Sequence, residues 1–273
     1  SSCFIIQPND SLDSIYQSLW DAARISKAGG GLGIDLSLLR ANGSSLMGYA
    51  GRAGGIAGWT KLYNDTAVTV NQAGKRKGAF TCALAIWHND ISDFLDMQTE
   101  AGDQRKKAYD IKPQVVINDH FMVLKDNSKS KWYTFCPHEI MEKVGVSLNG
   151  VFGEQFVANY ELCVQAYKDG LLKVVTVHKA KELFIRIMKN QFETGMPYIT
   201  FIDTLNATNP NNHVGYIPCF NLCVAPETTV KTDNGEIVIS DHVGERVNVW
   251  NGEQWSDVEI IKTGVNQQLI AVT

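Results

Sequence analysis

The texture of the chain changes near residues 222/223, from alternating helix and strand patterns to strands alone, and that change limits the fold more than any single motif. Upstream, helically spaced segments alternate with short apolar runs, the signature of βα units and of a mainly parallel sheet or barrel. Residues 11–28 place Leu12, Ile15, Leu19, Ala22, Ala23 and Ile25 on one predicted helical face, begun by Asp10 or Ser11 and ended by Gly29-Gly30-Gly31. A strand is predicted over 32–36, a Gly- and Ser-rich loop over 40–58, a helix over 59–70, a tight loop over 71–78 and a buried strand over 80–86. The alternation continues with a helix over 90–99, a strand over 114–117, helices over 152–166 and 176–194, and a strand over 198–202. From Thr228 the grammar is strand, Asn-Gly turn, strand, first around Asp233-Asn234-Gly235 and again around Asn251-Gly252. The expected organisation is an α/β domain over 1–222 followed by an all-β segment over 223–273.

Composition excludes several classes. With 273 residues, 44% hydrophobic and 20% charged, the chain can bury one large core and a small one, and it is not a disordered polypeptide. Lys and Arg total 25 against 29 Asp and Glu, a net charge of −4, so the chain has no general attraction for nucleic acid or anionic membrane, and any phosphate site must be local. No apolar run approaches the roughly 18–20 residues that cross a bilayer, and the expected location is cytoplasmic. Cys3, Cys82, Cys136, Cys163, Cys219 and Cys223 lack CxxC spacing, which disfavours a zinc ribbon or disulfide scaffold and predicts mostly buried thiols. His88, His120, His138, His178 and His213 form no i,i+4 pair, so no zinc site is expected, and His88 is expected to pack rather than catalyse. A chain that opens Ser-Ser-Cys and stops at Val272-Thr273 reads as a fragment.

Several segments, in order, carry a resemblance. They are Ser1-Ser2-Cys3-Phe4, the run from Asp10 to Ile15, Lys27-Ala28-Gly29-Gly30-Gly31-Leu32-Gly33-Ile34, Arg40-Ala41-Asn42-Gly43-Ser44, and Gln72-Ala73-Gly74-Lys75-Arg76-Lys77-Gly78-Ala79. Trp87-His88-Asn89-Asp90-Ile91 and Phe220-Asn221-Leu222-Cys223 extend it. Residues 1–222 resemble the catalytic subunit of ribonucleotide reductase, which implies part of a ten-stranded α/β barrel. That family removes an unactivated 2′-hydroxyl with a protein thiyl radical, while a cysteine pair supplies electrons. The resemblance makes Cys3 one of that pair, has Ser2 bond the substrate and has Asn221 bond its sugar, an amide that donates and accepts without titrating. A lone cysteine would otherwise read as a buried thiol, and Asn221 as a turn or cap residue.

The same family binds a deoxynucleoside triphosphate or ATP effector at a homodimer interface. By resemblance Asp10 accepts from the effector sugar, Lys27 and Arg40 contact the triphosphate, residues 40–48 form the first effector loop, and residues 72–78 form a second that relays to substrate through Gln72 and Arg76. In isolation, Lys75-Arg76-Lys77 would be a solvated basic loop, and Gly29-Gly30-Gly31-Leu32-Gly33 a plain helix-to-strand turn lacking the P-loop pattern. The implied partners are a ribonucleotide, a radical-generating small subunit and a thioredoxin or glutaredoxin reductant. The radical comes from that metal-containing subunit (class I, which the resemblance favours) or from adenosylcobalamin (class II), and this stretch holds no cofactor directly.

From Cys223 the sequence Val224-Ala225-Pro226-Glu227-Thr228-Thr229-Val230 resembles the opening block of an intein, whose first residue attacks the preceding carbonyl to make a thioester. Ala225 stands where the reductase pattern expects a proton-shuttling glutamate, so Cys223 is expected to be the splicing nucleophile at the position of the radical cysteine. The later intein blocks and the second redox cysteine fall outside these 273 residues, so this stretch alone is expected neither to splice nor to reduce. The rivals are a nucleotide-binding dimerisation module without catalysis and an autoprocessing domain with a passive extein.

Overall fold

The computed structural model describes residues 3–46, 51–70, 79–99, 103–220, 229–250 and 254–260. The elements run β1 (Cys3–Ile6), α1 (Leu12–Lys27), β2 (Gly31–Asp35), α2 (Ile56–Thr69), β3 (Phe80–Ala85), α3 (Ile91–Asp96) and β4 (Lys112–Ile117). They continue with α4 (Asp119–Lys125), β5 (Lys131–Phe135), α5 (Pro137–Lys143), α6 (Gly153–Lys168), β6 (Val175–Lys179), α7 (Ala180–Thr194), β7 (Tyr198–Phe201) and α8 (Ile202–Ala207). Strands β1, β2, β3, β4 and β7 form one five-stranded sheet in that order, every pair parallel. An antiparallel ribbon of β5 and β6 is inserted between β4 and β7.

Register gives the sheet two unlike faces. Gly33 and Thr81 share one row, Asp35, Ala83, Gln114 and Tyr198 the next, and Ala85, Val116 and Thr200 a third. Successive residues alternate sides, so these small and polar residues share one face. The other face carries Leu32, Ile34, Phe80, Cys82, Leu84, Val115 and Ile117, all at 0% exposure in a core with Ile15 and Ala22 of α1 and Tyr63 and Ala67 of α2.

Helix α1 starts where expected, its Ser11 hydroxyl accepting the Ser14 N–H at 3.2 Å, and most of its predicted face packs on the core, with Ile15 and Ala22 buried and Leu19 and Ile25 partly buried against it. Ile15, Ser18, Ala22 and Ser26 face inward, whereas Leu12 is 62% exposed. The two serines bury because their hydroxyls are satisfied: Ser18 meets the Tyr63 hydroxyl at 2.5 Å and donates to Ile15 O, and Ser26 donates to Val70 O at 2.7 Å. Small residues on that face bring α2 close. Tyr16 and Trp20 are left exposed beside Leu12 on the outer side.

Other boundaries also differ. The predicted helix over 176–194 opens as strand, because residues 175–179 pair with β5 and the helix begins only at Ala180. Helix α2 begins at Ile56, before the expected 59. Elements α4, β5, α5 and α8 had no counterpart in the sequence reading, and the predicted loop over 71–78 lies outside the described residues. His88 packs as expected: it is fully buried, with Nε2 2.8 Å from Leu39 O and Nδ1 accepting the Asp90 N–H. Cys82, Cys136, Cys163 and Cys219 are buried free thiols, and burial pushes Cys163 up to about 12. No helix among the described residues is long and apolar enough to cross a membrane.

Past residue 228 the hairpin grammar is realised. Strands β8 (Thr229–Thr232), β9 (Gly235–Val238), β10 (Arg246–Trp250) and β11 (Trp255–Glu259) form a four-stranded antiparallel sheet in the order β11-β10-β8-β9. Its outer hairpin is fastened by Arg246 on Asp257 at 2.6 Å and by edge-to-face packing of Trp250 on Trp255.

Candidate functional site

Of the predicted site residues that the structure describes, Asp10 and Arg40 meet in one cluster, and Cys3 lies on the first strand of the sheet that carries a second. In the first, Asp10, just before α1, meets Arg40 in the loop after β2: Asp10 accepts the Arg40 backbone N–H at 3.1 Å and its Nε at 2.8 Å. The guanidinium also donates through Nη1 to Ser45 O at 2.8 Å. Both side chains are about one-fifth exposed, so the pair sits at the surface yet is fixed in orientation. Among the described residues the fork keeps unpaired donors with which it can meet an anion. Asp10 therefore holds Arg40 rather than standing free.

The loop itself is folded back on two anchors. Gly43 N–H donates to Ala53 O and Ala53 N–H to Ser44 O, while the exposed Arg52 donates to Gly43 O at 2.8 Å. Beneath it, the Asp90 carboxylate, 5% exposed, accepts the Asn42 N–H at 2.9 Å and the Ile56 N–H at 3.0 Å, tying both ends of the loop to the end of β3. Gly55, at φ +72°, lies against Asp90 Oδ2, where a Cβ would collide. Sequence reasoning missed Arg52 and Asp90. Arg52 was visible as a second cation in the Gly-rich loop, but nothing local links Asp90 to residues so far upstream.

Lys27 is not part of this cluster. It ends α1, which at ~1.5 Å per residue places it roughly 22 Å from the other end of the helix, near Asp10. The structure does not bring the two together within one chain. Gln72 and Arg76 lie outside the described residues, as do Ser2, Asn221 and Cys223.

The second cluster is the small, polar face of the sheet. Residues 216–220 cross it: a Cβ on Gly33 would lie 3.0 Å from Phe220 O and 3.2 Å from Cys219 Sγ. Phe220 N–H donates to Gln114 Oε1 at 3.3 Å, and its ring meets Tyr198 with centroids 6.4 Å apart. The segment that leads into Asn221 is thus seated across β2, β4 and β7. On the same sheet β1 pairs Cys3 with Gly31, two residues before Gly33. The buried carboxylate of this face, Asp35, accepts from Ser37, Gln7 and Asn149, and burial still pushes it above the ordinary carboxylate range. Burial, with Asp35 and Asp203 nearby, raises Tyr216 as well. Thr81 Oγ1, Gln114 Nε2 and Thr200 Oγ1 on this face are buried with no partner among the described residues.

Residues 1–256 match the family described as ribonucleotide reductase, barrel domain. The chain is 49% identical over 226 residues to a ribonucleoside-diphosphate reductase subunit alpha of Synechocystis, covering 82% of this chain and 29% of that protein. It is 42% identical over 224 residues to the subunit alpha of Treponema pallidum, covering 82% and 26%. With the large subunit of Caenorhabditis elegans it shares 36% over 225 residues, covering 82% and 27%. The chain thus spans less than a third of the length of these relatives.

Proposed function

This chain belongs to the ribonucleotide reductase barrel-domain family, and from that premise we propose that it is a portion of a ribonucleoside-diphosphate reductase large subunit, interrupted at Cys223 by the start of an intein. The observation that carries the reductase reading is the seating of residues 216–220 across the polar face of a parallel sheet, leading toward Asn221 with Cys3 on the first strand. In this reading Cys3 supplies reducing equivalents, Ser2 and Asn221 hold the ribose, and the radical sulfur sits where splicing joins Leu222 to a downstream cysteine. The radical is generated by a metal-containing small subunit, in keeping with relatives named subunit alpha, with adenosylcobalamin as the other source. A thioredoxin or glutaredoxin restores the cysteine pair.

Arg40, held by Asp10, and Arg52 form the phosphate-facing side of an effector site for a deoxynucleoside triphosphate or ATP, with Asp10 toward the sugar and residues 72–78 relaying the effector's identity. Leu12, Tyr16 and Trp20, spaced i, i+4, i+8 on the outer face of α1, support a homodimer, since such a stripe is unusual on a solvated helix. Lys27 reaches an effector at Asp10 only from a second copy.

The intein reading is supported by Ala225 in place of glutamate and by the antiparallel sheet after residue 228. The family match runs on past Cys223, to residue 256. Sequencing the gene beyond Thr273 tests the whole proposal. The expected result is an intein ending in His-Asn followed by Cys-x-Glu; a continuous frame lacking both sinks it.

A further inference from the structure

We infer that Gln114 is a positioning residue for ribonucleotide reduction, holding the segment before Asn221 in register with the sheet; this deepens the reductase reading and rests on it. Gln114 stands in the middle of β4 at 0% exposure, in a row with Ala83 and Tyr198. Burying a carboxamide there costs free energy unless its polar atoms are bonded, whereas burying an apolar side chain is favourable. Only one of them is. Oε1 accepts the Phe220 N–H at 3.3 Å, whereas Nε2 has no partner among the described residues.

A chain segment crossing strands has no ladder to take its N–H groups, so a strand side chain must do so. Gln114 does this for the residue next to Asn221. The small Ala83 leaves room beside the amide, Gly33 lets the Phe220 carbonyl approach the sheet, and Tyr198 stops the Phe220 ring. Three strands thereby locate the peptide unit that leads into Asn221, and in the reductase reading a displacement of about an ångström there would misplace the group that holds the sugar. Misplacement on that scale is enough to slow a positioned reaction.

The test uses the full-length spliced enzyme with its radical source and reductant. Gln114→Met keeps the volume and removes the acceptor; Gln114→Glu keeps an acceptor in either protonation state. Q114M is expected to lower kcat about tenfold, the value of one ordinary hydrogen bond, with KM and effector response unchanged and faster amide exchange around residue 220. Q114E is expected to recover most of the rate and the protection. Should Q114M not fold, Gly33→Ala reports instead, since it pushes Phe220 off the sheet while keeping Gln114, and the same kcat-selective loss is expected. Wild-type kcat in Q114M or in G33A overturns the inference, as does Q114E no faster than Q114M, because the glutamine would then only fill space. A wild-type enzyme that reduces no ribonucleotide overturns the reductase reading itself, and this inference with it.

Discussion

Removing the Asp90 carboxylate should loosen the loop that carries Arg40 while leaving the sheet intact. Asp90 is 5% exposed and serves two backbone donors, Asn42 N–H through both oxygens at 2.9 and 3.1 Å and Ile56 N–H through Oδ2 at 3.0 Å. In Asp90→Ala both N–H groups lose their acceptor. A buried orphan donor costs about 1–3 kcal/mol, so two bracket about 2–6 kcal/mol, with water entering the vacated space pulling the value toward about 3. With a urea slope of about 3 kcal/mol/M for a domain of this size, the unfolding midpoint should fall by about 1 M. Asp90→Asn retains one oxygen. If that oxygen takes the Oδ2 place it still reaches both donors, so the loss should be about half as large or less. In the complete enzyme D90A should also weaken effector binding, because Asn42 and Ile56 bracket the loop that presents Arg40 and Arg52. Urea unfolding followed by circular dichroism measures the first effect and calorimetric titration with a deoxynucleoside triphosphate the second. A midpoint within 0.2 M of wild type, on the order of the extrapolation error, would refute the anchoring role.

Three further outcomes are expected. Arg40→Ala in the complete enzyme should remove a charge-assisted contact worth roughly 1.5–3 kcal/mol, lowering effector affinity about ten- to a hundredfold while basal turnover survives, as read by effector titration. In a chain carrying the whole intein, Cys223→Ala should leave unspliced precursor by mass spectrometry, whereas Cys3→Ala should splice yet give a reductase that cannot be re-reduced for further turnovers. Glu139 is pushed up by burial, but Lys143 and the Val174 and Lys173 N–H groups outweigh this and hold it below its ordinary 4.5. Its contribution is therefore complete above that value and lost as pH falls through the folded pKa, so acid unfolding of Glu139→Gln should be less steep below pH 4.5.

The parallel architecture was legible because strands buried on both sides of an alternating chain leave a plain pattern, and the Ser11 cap and Gly29 stop framed α1 to within a residue or two. The full face of α1 was only partly legible. Apolar counting passes over Ser18 and Ser26, whose burial depends on partners in α2 and just after it, tens of residues away. Strand β6 was absorbed into a helix because its five residues precede a strongly helical run; only the pairing with β5 separates them. The Asp10–Arg40 neighbourhood was foreseen by resemblance, yet not the salt bridge between its members. The distance of Lys27 needed no structure, since the length of the predicted helix already separated it from Asp10.

The small, polar face of the five-stranded sheet carries a cost that its own strands could remove. Thr81 and Thr200 bury hydroxyls that have no partner among the described residues, on a face where valine has the same shape and no polar atom to strand. A sequence selected for thermal endurance alone would take that exchange, and a valine at either place should raise the melting temperature by a few degrees. A parallel sheet of this kind is ordinarily greasy on both sides, and here one side is held back from that state. In the reductase reading proposed above that interior is a workspace rather than a core, and the stability forgone there is a physical measure of what must be kept open for chemistry.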